Sequence, residues 1–254
     1  PLIRMFTPAR QSSPEPREHC EGQWQVCSPD TVGRFSATAY FFGRQIHREL
    51  DVPVGLVNSS WGGTAVEAWT SMAAQENIAA LAELHASWKQ KTEQYDPDRA
   101  QAAYEKRMEQ WQKAAKAAKA AGKRAPRRPR KPADPRRNQN RPANLFNGMI
   151  RPLIPFAVRG AIWYQGERNA HGERAKTYGL QLATMIGDWR KRWGYDFPFL
   201  WVQLPNFRKP QTEPVEAGGG GIVQEQMLKT LSVPKTGMGI TIDVGDAKEI
   251  HPKK

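Results

Sequence analysis

The chain has 254 residues, enough for one α/β domain with an insertion and a sizeable core, and it does not require a second compact domain. Its formal charge of +13 is local. Thirteen Lys or Arg residues between Lys106 and Arg137 stand against only Glu109 and Asp134, so the remaining +2 leaves the rest of the chain nearly neutral and argues against a polyanion-binding body. No apolar run approaches the roughly eighteen residues that suggest a membrane span. Cys20 and Cys27, with only His19 beside them, argue against a zinc site and leave open a small-loop disulfide or two buried thiols.

In chain order, Phe35, Ala39, Phe42, Ile46 and Leu50 fall on one helical stripe, which predicts a helix from about Ser36 to the Asp51-Val52-Pro53 break. Val54 to Val57 then reads as a strand. From Ala79 to Ala121 the chain is rich in Ala, Glu, Gln and Lys, which predicts a helical hairpin broken near Asp96-Pro97, with Leu81, Leu84 and Trp88 on one stripe and Tyr104, Met108 and Trp111 on the other. After Gly122 prolines alternate with arginines, and an extended, mobile loop is expected.

Gly160 to Tyr164 reads as a second strand, followed by an amphipathic helix from about Arg174 to Trp193. Tyr178, Leu182, Met185 or Ile186, Trp189 and Trp193 point inward, and Gly194 ends the helix. Phe199 to Leu204 is a third strand. The glycines of Ala217 to Gly221 read as a flexible loop, Ile222 to Leu231 as a short helix, and Gly239 to Ile242 as a fourth strand. Alternation of strand and helix points to a parallel sheet with helices on both faces.

Three of these strands end in polar, glycine-bearing clusters. They are Asn58-Ser59-Ser60-Trp61-Gly62-Gly63-Thr64, then Gln165-Gly166-Glu167, then Asp243 to Pro252 with Asp246, Glu249 and His251. Ligands in open α/β sheets sit beyond the carboxyl ends of the strands, so chemistry is expected at these tips. Gln165 offers an N–H₂ donor, and Gly62 or Gly63 can expose backbone N–H groups to a developing oxyanion, with Gly62 preferred. His251 has the residue type of a general base, held by a carboxylate. Asp246 is favoured for that role, then Glu249, because Lys248 occupies the position three residues before the histidine. Glu167 can bind sugar hydroxyls, hold Gln165 or pair with Arg168. Trp61 and Asn206 supply a flat ring and an amide suited to carbohydrate. Neither Ser59 nor Ser60 lies in a Gly-x-Ser-x-Gly elbow, and neither is expected to be a nucleophile.

Asn-Ser-Ser-Trp-Gly-Gly-Thr, Trp-Tyr-Gln-Gly-Glu and Ile-His-Pro, in this order, resemble the sialate O-acetylesterase family of the SGNH (GDSL-like) hydrolases. The likeness also takes in residues 35–42, 144–152 and 201–206. It implies a three-layer α/β/α sandwich with a flavodoxin-like parallel sheet, formed by residues 1–78 and 143–254, with a helical, basic insertion at 79–142. The Gly-Gln-Ser-Asn block that carries the family's nucleophilic serine is absent. The resemblance places it on a central strand ahead of Pro1 and a closing helix after Lys254, so the chain reads as a fragment, expected to fold poorly without that strand.

The implied function is a carbohydrate O-acetylesterase acting on an O-acetylated saccharide, with no metal or cofactor and export by family habit. The alternative is a catalytically silent SGNH-fold protein that binds anionic glycan through residues 106–137. For that basic segment a solvated face is favoured over anionic glycan, and nucleic acid is the least favoured partner.

Overall fold

The computed structural model describes residues 2–209, 212, 213, 216 and 218–249. The molecule is an α/β fold with parallel strands and flanking helices. Six strands form two three-stranded sheets. In the first, β1 (Ile3–Phe6) lies between β2 (Gln25–Val26), to which it is antiparallel, and β3 (Val54–Val57), to which it is parallel with Ile3 opposite Val54 and Phe6 opposite Val57. In the second, β4 (Ala161–Trp163), β5 (Phe199–Val202) and β6 (Thr236–Gly239) run parallel in that order, with Trp163 opposite Trp201 and Trp201 opposite Met238.

Strands β1 and β2 are absent from the sequence-based reading. Strand β1 is four residues long and carries Arg4 on its outer face, so it alternates buried and exposed instead of showing an apolar run. Strand β6 also departs from expectation. It occupies residues 236–239 and stops where the expected strand began, leaving Ile240 and Ile242 exposed at 66% and 51%. Strand β4 is found as expected, but it is an edge of its sheet and Ile162 is exposed, so its apolar composition does not reflect burial on both faces.

The helices are α1 (Pro29–Val32), α2 (Ala37–Leu50), α3 (Met72–Gln75), α4 (Ala82–Glu93), α5 (Pro97–Ala120), α6 (Glu173–Lys176), α7 (Tyr178–Trp193) and α8 (Gly219–Lys229). Helix α2 begins where expected, with Ser36 accepting a hydrogen bond from the Ala39 N–H, but its inward face is turned. Ala39 and Gly43 are buried while Phe42 and Leu50 are exposed. A Cβ on Gly43 would lie 2.6 Å from the Leu56 side chain, so close approach to β3 selects the small residues. The hairpin of α4 and α5 breaks at Asp96, whose carboxylate caps α5 by accepting from the Asp98 and Arg99 N–H groups. Beyond it, the Trp111 indole donates to the Pro126 carbonyl at 2.8 Å and Arg128 lies over the same ring. Gly219, Gly220 and Gly221 form the first turn of α8 and not a loop. A Cβ on Gly219 would run into the Ala170 carbonyl, so glycine is what lets the helix start against the loop after β4.

The core lies around α7, as its periodicity predicts. Tyr178, Leu182, Met185, Ile186 and Trp189 are buried, and Gly194 ends the helix in the left-handed region at φ 81°. Trp163 packs edge-to-face against both Trp69 and Trp189, and the Trp189 indole donates to the Trp69 carbonyl at 2.9 Å. The 64–71 segment that follows the first strand-tip cluster is thereby pinned to α7. A second clamp is the buried Asp188, which accepts from the N–H and hydroxyl of Ser71, each at 2.9 Å, and from Arg192 at 2.7 Å.

The turn at Phe146–Ile150 joins the N-terminal segment to this core. Asn147 donates to the Ser13 and Pro14 carbonyls, and Gly148 sits so close to Gln11 that a Cβ would collide with its backbone carbonyl. Gly148→Ala must therefore displace backbone, and we expect it to lower stability by about 1–3 kcal/mol or more in chemical denaturation, whereas Gly33→Ala, where no atom lies within 4 Å, should leave the midpoint nearly unchanged.

Candidate active site

The strand tips are tied to one another by specific contacts. The Gln165 amide, beyond β4, donates to the Thr64 carbonyl at 2.9 Å, which joins the β4 tip to the glycine turn beyond β3. Gly166 lies against Leu204 so closely that a Cβ would approach the leucine side chain to 3.1 Å, which joins the β4 tip to that of β5. The Asn206 side chain accepts from the Gly245 N–H at 2.8 Å, and Phe207 and Asp246 form a parallel bridge, which joins β5 to the loop beyond β6. The three clusters expected to carry chemistry thus form one continuous rim.

Within this rim the glycine turn is held from both sides. The Thr64 hydroxyl donates to the Trp61 carbonyl at 2.7 Å and accepts from the Trp69 indole at 3.0 Å. The Asn140 side chain accepts from the Ala65 N–H at 2.8 Å and donates to the Gly63 carbonyl at 3.2 Å. Gly63 has φ 73°, the left-handed conformation that favours glycine. Among the described residues no hydrogen bond is made by the N–H of Gly62 or Gly63, and a Cβ on either would meet nothing within 4 Å. Both glycines are exposed, so two backbone donors stand at the surface of the turn without a hydrogen-bond partner among the described residues.

Gln165 stands at the tip as expected, but its amide is not an idle donor. One N–H goes to the Thr64 carbonyl and the other to Asn169 Oδ1 at 2.8 Å. Its side-chain and main-chain oxygens share the hydroxyl proton of Tyr178, at 3.1 and 2.9 Å. Burial pushes the Tyr178 phenol well above the ordinary tyrosine range, so it stays a donor, and the Trp163 indole donates to its oxygen at 3.4 Å. Asn169 Oδ1 also accepts from the Val66 N–H at 3.0 Å, and its N–H₂ group donates to Glu67 Oε2 at 2.9 Å. Glu67 is fully buried. Its other oxygen makes no hydrogen bond and has only the Arg174 guanidinium near it, at 3.7 Å. Arg174 stands just ahead of α7.

The other expected residues sort as follows. Asp246 Oδ1 accepts from the Lys248 and Glu249 N–H groups at 2.7 and 3.0 Å, so one carboxylate oxygen shapes the loop that leads toward residue 251. His251 lies outside the described residues. Glu167 is half-buried beside Tyr164, whose phenol is raised first by burial and then by the Glu167 charge. Trp61 packs partly against the core with Arg10 over its ring. The Ser59 hydroxyl donates to the Met149 carbonyl at 3.0 Å and that of Ser60 to Asn58 Oδ1 at 2.8 Å, so among the described residues neither hydroxyl is paired with a histidine. No group of three His, Cys, Asp or Glu side chains suited to a metal occurs among the described residues. Cys20 and Cys27 are free thiols, and no described helix is long and apolar enough to cross a membrane.

Glu67, Asn169, Asn140 and Tyr178 were not picked out from the sequence. A signal existed for Glu67, a lone carboxylate inside the apolar stretch Ala65-Val66-Glu67-Ala68-Trp69. Replacing Glu67 with alanine leaves the Asn169 amide and the Arg174 guanidinium facing a cavity. We expect a loss of about 2–4 kcal/mol in urea unfolding, with Glu67→Gln losing clearly less because its oxygen can still accept from Asn169.

A family model described as carbohydrate esterase, sialic acid-specific acetylesterase, matches residues 138–244. The sialate O-acetylesterase of mouse is 29% identical over 235 residues, covering 86% of this chain and 39% of the relative, and that of human is 25% identical over 256 residues, covering 91% and 39%. In fold, the chain is similar to the crystal structure of a carbohydrate acetylesterase from Xanthomonas citri, with a TM-score of 0.71 and 31% identity over 99% of this chain and 45% of the other. The chain spans less than half the length of these relatives.

Proposed function

We propose that this chain belongs to the sialate O-acetylesterase family and forms part of an enzyme that removes O-acetyl groups from sialic acid or a related saccharide by serine-hydrolase chemistry. The observation that carries the reading is the rim itself: two exposed glycine N–H groups with no hydrogen-bond partner among the described residues, in a turn bonded to the tip of β4, which packs on the tip of β5, itself bonded to the loop of Gly245 and Asp246. An ester transfer needs such preplaced donors where the carbonyl oxygen gains charge, each typically contributing ~2.7–4 kcal/mol.

In this reading the attacking group is the serine of the family's Gly-Gln-Ser-Asn block and neither Ser59 nor Ser60, whose hydroxyls donate to the Met149 carbonyl and to Asn58 Oδ1. The serine oxygen attacks the acetyl carbonyl while His251 takes its proton. The Gly62 N–H, with that of Gly63 beside it, receives the oxyanion. His251 returns the proton to the sugar alkoxide as it leaves, and water repeats the sequence to release acetate. Asp246 orients the imidazole through the oxygen not committed to its own loop, with Glu249 as the second choice. Trp61, Glu167 and Asn206 border the sugar.

The fold assigned with this reading is the three-layer α/β/α sandwich of the SGNH hydrolases, made by residues 1–78 and 143–254. The two three-stranded sheets are its halves, and 79–142 is an insertion.

The intact natural protein is expected to release acetate from p-nitrophenyl acetate and from O-acetylated sialic acid, without added metal. His251→Ala should lower kcat by about 10²–10⁴-fold with little change in KM. Unchanged turnover in that variant would remove the histidine from the mechanism.

A further inference from the structure

The unexpected feature of the rim is that its most prominent amide is already fully bonded. Gln165 uses both N–H bonds within the protein, and exchanging its oxygen and nitrogen would set oxygen against the Thr64 carbonyl and the Asn169 oxygen. The direction of the whole relay follows from Glu67. A buried carboxylate can only accept, so the Asn169 N–H₂ must face it at 2.9 Å. Asn169 Oδ1 then faces the other way, where it receives the Val66 N–H at 3.0 Å and the Gln165 N–H at 2.8 Å. With that N–H placed, the second Gln165 N–H falls on the Thr64 carbonyl, one residue beyond the glycine pair. Arg174, half-buried at 3.7 Å, supplies the charge that opposes the buried carboxylate. Asn140 completes the hold by gripping the Gly63 carbonyl and the Ala65 N–H.

We infer that Glu67 and Asn169, acting through Gln165, are positioning residues whose role is to aim the Gly62 and Gly63 N–H groups, and that Gln165 serves as a strut of the oxyanion site instead of one of its donors. The inference deepens the acyl-transfer reading and rests on it for its kinetic consequences, but the geometry of the strut can be read without turnover. Three of the bonds in the relay converge on residues 64–66, immediately after the glycine pair, while the N–H groups of the glycines have no hydrogen-bond partner among the described residues. A donor turn with open space in front needs its constraint from behind, and these side chains supply it. A misplacement of about 1 Å in a catalytic donor costs on the order of a hundredfold in rate, so the strut belongs to the chemistry even though it touches no substrate.

The test compares Asn169→Ala, Asn169→Asp and Glu67→Gln in the intact natural protein. Asn169→Ala removes the acceptor for Gln165 and should lower kcat for p-nitrophenyl acetate by about ten- to a hundredfold with KM within twofold. Glu67→Gln keeps an acceptor for Asn169 and should retain kcat within about threefold. Asn169→Asp places a second carboxylate against Glu67, and two carboxylates this close hold a proton between them, which raises the folded-state pKa. Its kcat relative to wild type at the same pH should therefore be highest at the acid end of the range and fall as pH rises, on top of the loss at low pH that both share when the histidine base is protonated. In parallel, glycine-selective ¹⁵N labelling reads the Gly62 and Gly63 amide resonances directly. Both should shift in Asn169→Ala while the other glycines and the melting behaviour of Glu67→Gln stay close to wild type. Unmoved Gly62 and Gly63 resonances, or a KM effect without a kcat effect, overturn the inference. If the wild type releases no acetate, the esterase reading fails and the glycine resonances alone decide the strut. If Asn169→Ala does not fold, the Asn169→Asp pH profile and its glycine spectrum decide.

Discussion

A buried carboxylate with one hydrogen-bonding partner governs how this molecule is put together. Glu67 has no exposed side-chain surface, and charge in that position is tolerated only when it is bonded and opposed. Meeting that requirement draws the Asn169 amide from the loop beyond β4 and the Arg174 guanidinium from the segment ahead of α7 onto the stretch that follows β3. Two parts of the chain, about a hundred residues apart in sequence, are thereby brought together at one place. The aromatic cluster of Trp69, Trp163 and Trp189 closes over the same junction and excludes the water that would otherwise compete for these bonds.

Shape and polarity have different origins in this arrangement. Strand pairing and the apolar face of α7 set where the tips lie, and they do so with side chains that carry no direction: Leu182, Met185, Ile186, Phe199 and Trp201 fill the interior. Direction comes from the amides. Each of Gln165, Asn169 and Asn140 has one end that donates and one that accepts; the Glu67 carboxylate and the Val66 N–H set which way round Asn169 stands and through it Gln165, while the Ala65 N–H and the Gly63 carbonyl set Asn140. The consequence is an exposed glycine turn whose own N–H groups have no hydrogen-bond partner among the described residues, while the groups on either side of it are held.

Much of this was legible in the sequence where a periodic signal was long. The sixteen residues of α7 show their buried face plainly, and Gly194 marks its end. Asp96-Pro97 marks the break of the α4–α5 hairpin because a capping carboxylate followed by proline has one structural meaning. Short elements were not legible. Four residues with a charged one on the outer face, as in β1, carry too little pattern to stand out, and two, as in β2, carry none. The stripe of α2 predicts Ala39 inward, as found, but large apolar side chains conceal that Gly43, chosen by close contact with Leu56, faces inward while Phe42 and Leu50 do not. The glycines before α8 read as loop because their helix propensity is poor, and a close backbone approach to Ala170 overrides it. At the site, motifs located Gln165, Gly62 and Asn206, but hydrogen-bond direction has no signature in one dimension. The role of Asn169 depends on Glu67, 102 residues away, and appears only when both stand side by side.

The placement of the glycine turn rests on the side-chain relay behind it, and a double-mutant cycle measures that relay without reference to any activity. Unfolding free energies of the wild type, Gln165→Ala, Asn169→Ala and both together would isolate the side-chain link between the two amides. A coupling of about 1 kcal/mol or more between Gln165 and Asn169 is what a bonded relay requires. Additivity within about 0.3–0.5 kcal/mol would mean that the two amides do not depend on each other, and would contradict it.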